Sequence, residues 1–187
     1  MNPTSLLPAE KAHLAQLLTA VQRSAYFLAM TERRLAWPLT AEALMACKLD
    51  QTLYERLAAI NERYAKMQDS LGAAMRHACL LLAERCDDFL KVLAYFEKQG
   101  VIDSVEGWQA MRVVRNIAAH EYEIDYARVA DHFNTIHALL PELIGSARHF
   151  VRFCAERLGV GPSDPDFAQL FAALDAGGDS CATSGVT

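Results

Sequence analysis

The stretch PAEKAHLAQLLTAVQRSAYFLAMTERR, Pro8 to Arg34, decides the fold. Leu14, Leu17, Leu18, Val21, Ala25 and Leu28 recur at helical spacing, so a helix through them gathers its apolar side chains on one side. Trp37-Pro38 closes that helix, because proline lacks a donor and disfavours helical backbone in the residue before it.

Working outward, the same periodicity continues. Thr40 is a reasonable N-cap for a second helix through Met67, with Leu44, Leu49, Leu53, Leu57 and Ile60 as its core face. A third is expected from about Asp69 to Gln99, with Gly100 as its C′ residue. One unbroken helix from Ala41 to Gln99 would be about 88 Å long, so a break or kink is expected near Asp69-Ser70-Leu71-Gly72. The fourth starts at Asp103, which with Glu106 makes a capping-box-like pair. The fifth runs from Asp125 to about Arg157, before Gly159 and Gly161. Strand signals are absent: the chain has no alternating β-branched run and no Asn-Gly turn. Short connections favour antiparallel neighbours, so the expected fold is all-α, an up-and-down bundle of four to five helices over residues 1–159. Residues 160–187 read as a separate acidic tail. Pro162-Ser163-Asp164-Pro165 restarts the chain, Asp166 to Leu174 suits one short helix, and Gly177 to Thr187 is small and polar, expected to be disordered.

Composition fits this class. Of the 187 residues, 52% are hydrophobic and 22% charged, enough to bury a core while staying hydrated outside. No apolar run approaches the roughly 20 residues that span a bilayer, and the N-terminus lacks a signal-peptide pattern, so a cytoplasmic location is expected. Cys47, Cys79, Cys86, Cys154 and Cys181 are odd in number and widely spaced, unlike a disulfide framework. Cys79 and Cys86 share a helical face and read as small core residues; no cysteine pair has zinc-ligand spacing. The net charge is −5, but Asp164, Asp166, Asp175 and Asp179 of the tail carry most of it. The helical body is nearly neutral, so charge neither proposes nor excludes a polyanionic ligand.

Against this background RNIAAHEY, Arg115 to Tyr122, stands out. Ala110, Val113, Val114, Ile117 and Ala118 cover one arc of the fourth helix, expected to face the core. Arg112, Arg115, Asn116 and Ala119 lie opposite, with His120 at the arc's far margin. Trp108 falls on the Arg115 side, and an aromatic beside exposed cations is typical of an interface. Arg and His also suit any helix C-terminus, where positive charge meets the dipole. Arg115 and His120 are about 140° apart on an ideal helix, so they flank a surface rather than touch. A joint role needs either a distorted helix end or a second copy of the face across a two-fold axis.

Arg115-Asn116-x-x-x-His120-x-Tyr122 resembles the R-N-x-x-x-H-x-Y motif of HepT-type toxins in the HEPN superfamily, small all-helical proteins with this motif on a late helix. The resemblance covers residues 10–158 in architecture and about eight in motif. It implies a metal-independent endoribonuclease without cofactor, the toxin of a type II toxin–antitoxin pair. Two motifs would share one cleft of a homodimer and leave a 2′,3′-cyclic phosphate. It makes His120 the general base or proton shuttle, Arg115 the phosphate contact and Asn116 an orienting group, with Arg112 a candidate RNA contact. It also makes Tyr122 the position where an MNT-type nucleotidyltransferase antitoxin would add AMP. The chemistry is coherent: a histidine titrates near neutrality, and an arginine is always charged and binds two phosphate oxygens. Glu121, Glu123 and Asp125 surround the motif with negative charge, so RNA would need a basic rim, for which Arg112, Arg115, Arg76 and Arg85 are available. That acidic rim motivates the alternative: a non-catalytic helical adaptor or antitoxin-like partner that binds a nucleotidyltransferase.

Other candidates are weaker. His132, His137 and His149 lack the i,i+4 spacing of a zinc helix and read as surface or interface residues. Asp87-Asp88 reads as solvated charge, and Arg33-Arg34 as a helix end. Glycine-rich phosphate loops and nucleophile-elbow motifs are missing from the sequence.

Overall fold

The computed structural model describes residues 3–117 and 125–174, with side chains given from residue 7 onward except those of 116 and 117. These residues are all-helical. In chain order the helices are α1 (Pro3–Glu32), α2 (Ala41–Ala46), α3 (Gln51–Leu81), α4 (Phe89–Lys98), α5 (Val105–Ile117), α6 (Tyr126–Leu158) and α7 (Pro165–Ala172). The long helices α1, α3 and α6 pack on one another and form the core. α4 and α5 lie against α3 and each other, α5 also meets α6, α2 meets α6, and α7 rests on α1.

Six helices among the described residues up to 158, rather than four or five, result from capping. Thr40 caps α2 as expected, its side chain accepting from Ala43 N–H at 3.2 Å. That helix ends at once, however, because Asp50 starts α3 by accepting from Leu53 N–H at 3.0 Å. Leu49, expected in the core, sits in the intervening turn and is 90% exposed. Of the break or kink expected at Asp69–Gly72, a break is absent, since α3 continues through it. It falls instead at 82–88, where Ala83 takes the left-handed φ of 55° and Asp88 caps α4 through Lys91 N–H at 2.9 Å. Asp88 is therefore a structural acceptor, while Asp87 pairs on the surface with Lys91 at 3.0 Å. The start of α5 also differs from expectation: Ser104, not Asp103, accepts from Gly107 N–H at 2.9 Å. A hydroxyl at that position meets the N3 amide directly, which leaves Asp103 exposed.

The core matches the first helix's pattern. Leu14, Leu18, Val21, Ala25 and Leu28 are fully buried, facing Ile60, Tyr64, Met67 and Leu71 of α3 and Leu143, Ala147 and Phe150 of α6 within one cluster. Phe96 of α4 meets Phe150 and Phe153 edge-on at 5.3 and 5.4 Å, which fixes α4 to the end of α6. Gly100 takes φ of 67° after α4, with Val101 N–H donating to Phe96 O at 2.9 Å, the left-handed stop expected there. Asp125 caps α6 and Gly159 ends it with φ of 63°. Cys79 is buried and Cys86 half-buried, their sulfurs 3.0 Å apart and both thiols free.

The first part of the tail is integrated into this body. Thr19 Oγ1 accepts from Ser163 N–H at 2.9 Å, Arg33 donates to Leu174 O at 2.8 Å, and Phe171 and Leu174 are buried. The segment 177–187, expected to be disordered, lies outside the described residues. No described helix is long and apolar enough to cross a membrane.

Candidate functional site

The face that α5 turns inward carries Trp108, Met111 and Arg115 at i, i+3 and i+7. Trp108 and Met111 are each 1% exposed. Of the arc expected to face the core, Ala110 is exposed and Val113 is 59% exposed, Val114 is half-buried against the core, and Ala118 and the side chain of Ile117 lie outside the described residues. Burying one Trp and one Met removes more apolar surface from water than burying alanines and a valine, so the large side chains set the helix's rotation. Trp108 is thus a core residue and not an interface aromatic. Arg115 is drawn toward the bundle instead of out into solvent.

What meets Arg115 is α3. Its guanidinium forms a salt bridge with the Asp69 carboxylate, the arginine side chain 19% exposed and the aspartate 61%. One residue earlier, Gln68 Nε2 donates to Trp108 O at 3.1 Å, which ties α3 to α5 below the ion pair. That amide is buried, and its Oε1 has no hydrogen-bond partner. Gly72 and Arg76 continue the same face of α3 at successive i+4 steps from Gln68.

Phe89, the first residue of α4, closes the third side. A Cβ on Gly72 would lie 3.0 Å from Phe89 Cζ, so the glycine is present for close approach and not as a helix break. The ring meets Trp108 edge-on at 6.3 Å, and the Arg76 guanidinium lies over it at 5.1 Å from the centroid.

Together α3, α5 and the start of α4 enclose an open cavity of about 320 Å³. Arg76, Arg112 and Arg115 line it, against one lining carboxylate, Asp69. The cavity is therefore locally cationic on a chain of net charge −5. Such a wall of guanidinium groups binds phosphate or carboxylate oxygens.

Of the residues singled out from sequence, Arg112 and Arg115 come together here, and Arg76 joins them. Arg85 is exposed in the α3–α4 connection and does not line the cavity. Asn116 lies on α5 with its side chain outside the described residues, and so do His120 and Tyr122 entirely. Of the acidic rim, Asp125 is engaged as the α6 N-cap, accepting from Ala127 N–H at 3.0 Å and Arg128 N–H at 3.4 Å. Gln68, Asp69, Gly72 and Phe89 were not anticipated as site residues. The i, i+4, i+8 spacing of Gln68, Gly72 and Arg76 was the available signal, and the assumed break at Gly72 hid it.

Two of the three histidines of α6, His132 and His137, have structural partners. His137 stacks on Trp37 at 4.4 Å and meets Glu32 at 2.5 Å, which clasps the α1–α2 connection. His132 lies 3.4 Å from Asn61, and burial pushes its pKa below the ordinary histidine value. His149 is half-buried. Among the described residues, no three His, Cys, Asp or Glu side chains gather closely enough to hold a metal ion.

Comparison with protein-family models, with curated proteins and with solved structures gave no match to this chain.

Proposed function

We propose that the protein is a metal-independent endoribonuclease of the HEPN superfamily, a HepT-like toxin that works in the cytoplasm as a homodimer. The observation that carries this reading is Arg115: the first residue of the R-N-x-x-x-H-x-Y motif points into a cavity lined by two further arginines. RNA cleavage without a metal requires this kind of charge beside the reacting phosphate.

In the proposed reaction His120 accepts the proton of a ribose 2′-OH as that oxygen attacks the adjacent phosphorus. The bond from phosphorus to the 5′ oxygen breaks, the leaving oxygen takes up a proton, and the products are a 2′,3′-cyclic phosphate and a 5′-OH. Arg115 stabilises the charge that builds on the phosphate, Asn116 orients His120 or a phosphate oxygen, and Arg112 holds the chain. The homodimer rests on the resemblance, in which two copies of the motif share one cleft. Tyr122 is the position for AMP transfer by a nucleotidyltransferase antitoxin, whose added phosphate would repel RNA from the cleft.

A second reading is favoured by one contact. Asp69 occupies the Arg115 guanidinium, as suits a scaffold that binds a nucleotidyltransferase without cutting RNA. Incubation of purified protein with RNA in EDTA separates the two. The nuclease yields cyclic-phosphate ends that His120→Ala removes, whereas the adaptor leaves RNA intact even when stripped of partners.

A further inference from the structure

We infer that the cavity between α3, α5 and the start of α4 is a nucleotide subsite, taking one nucleotide of a single-stranded chain with its base on Arg76 and its phosphate on Arg112. Its connection to RNA cleavage rests on the nuclease reading above; the binding itself does not.

Size and polarity point to a nucleotide rather than a bare anion. At 320 Å³ the cavity reaches the lower end of small-ligand sites, roughly 300–1,000 Å³, and inorganic phosphate would leave most of it empty. Its wall sets the Phe89 ring beside three arginines, a mixed apolar and cationic lining that suits a base joined to a phosphate better than a bare anion.

Arg76 supplies the platform. Its guanidinium lies over the Phe89 ring, 5.1 Å from the centroid, and Phe89 itself packs between Gly72 and Trp108. Arg76 is exposed, and no ion pair joins it to a carboxylate among the described residues. A planar cation backed by an aromatic ring is a stacking surface for a base, as in single-strand recognition generally. Arg112, also exposed on the cavity wall, then meets the phosphate, and Arg115 stands one helical turn further along α5 toward the motif. The subsite would hold the nucleotide beside the one that is cut.

The test is binding of a fluorescein-labelled single-stranded 2′-deoxy tetranucleotide, which has no 2′-OH and stays intact, measured by polarisation with inorganic phosphate as competitor. Wild type is expected to bind, and Arg76→Ala to lose about tenfold in affinity, the scale of one stacked base. Arg76→Lys keeps the charge without the plane and should not restore binding, and phosphate should compete only in large excess. Binding unchanged in Arg76→Ala, full rescue by lysine, or equal competition by phosphate would each overturn the subsite. The nuclease reading fails separately: a wild type that binds through Arg76 yet never cuts RNA retains the subsite and loses the enzyme. Cutting that persists alongside Arg76-independent binding does the reverse.

Discussion

The Arg115 guanidinium on α5 is paired with the Asp69 carboxylate on α3, across the mouth of a cavity that two other arginines line. The aspartate is the more exposed partner, so it competes directly with any anion that enters. Asp69→Asn removes that competitor without changing the side chain's shape. Stability should change by less than about 1 kcal/mol, since the aspartate is largely exposed and water screens the pair from its side. Affinity for the single-stranded oligonucleotide should rise several-fold, and more at low salt than at high. Urea unfolding and polarisation titrations at two ionic strengths measure both.

The helix that bears Arg115 depends on its first turn. Ser104 Oγ accepts from Gly107 N–H, and Glu97 of α4 accepts from Val105 N–H at 3.1 Å. Ser104→Ala should cost about 1 kcal/mol and Ser104→Asp should retain most of the stability, because aspartate caps equally well. Amide exchange along α5 is the readout, with faster exchange at Glu106–Trp108 expected in the alanine variant alone.

Close approach of α3 and α4 rests on Gly72. Gly72→Leu places its branches where the Phe89 ring sits, and Arg76 and Trp108 block the ring's retreat. The expected loss is about 2–3 kcal/mol from overpacking, seen as a lower denaturation midpoint. Phe89→Ala in the same chain should recover part of it, as the obstructing ring is then gone.

Burial also sets an acid limit. His132 has its pKa lowered in the folded state, and desolvation is the cause. The unfolded chain therefore takes up a proton more readily than the folded one. The contribution of neutral His132 is complete above the unfolded value, near 6.5, and is lost as pH falls through the lower folded value. The urea midpoint of wild type should fall between pH 7.5 and 5.5, and that of His132→Gln should fall less. Equal slopes in the two proteins would remove His132 from the account.

Much of the fold was legible because α1 repeats its apolar residues at strict spacing, and all but Leu17 of that set are fully buried. The rotation of α5 was not. Counting apolar positions favoured Ala110, Val113 and Val114, but area decides burial, and Trp108 with Met111 outweighs them. Helix boundaries were missed at Asp50 and Asp88, where a single aspartate accepting one amide ends a pattern that periodicity alone would continue. As for the site, the motif drew attention to Arg115 and, beside it, Arg112. Their neighbours Gln68, Asp69 and Phe89 come from segments 20 or more residues earlier in the chain. Only the packing of α3 against α5 and α4 brings them together, and local pattern does not encode it.

The central claim, that Arg115–Tyr122 is half of a ribonuclease site completed by a second copy, is tested most directly by mixing two inactive variants. Arg115→Ala and His120→Ala are each expected to leave RNA uncut. Co-refolded in equal amounts, half of the dimers are mixed, and each mixed dimer regains one site of two, so about a quarter of wild-type cleavage should return. Neither variant alone should release cyclic-phosphate ends. If wild type cuts RNA but the mixture remains inactive, the shared site is contradicted; if either single variant cuts as fast as wild type, the motif is not the catalyst.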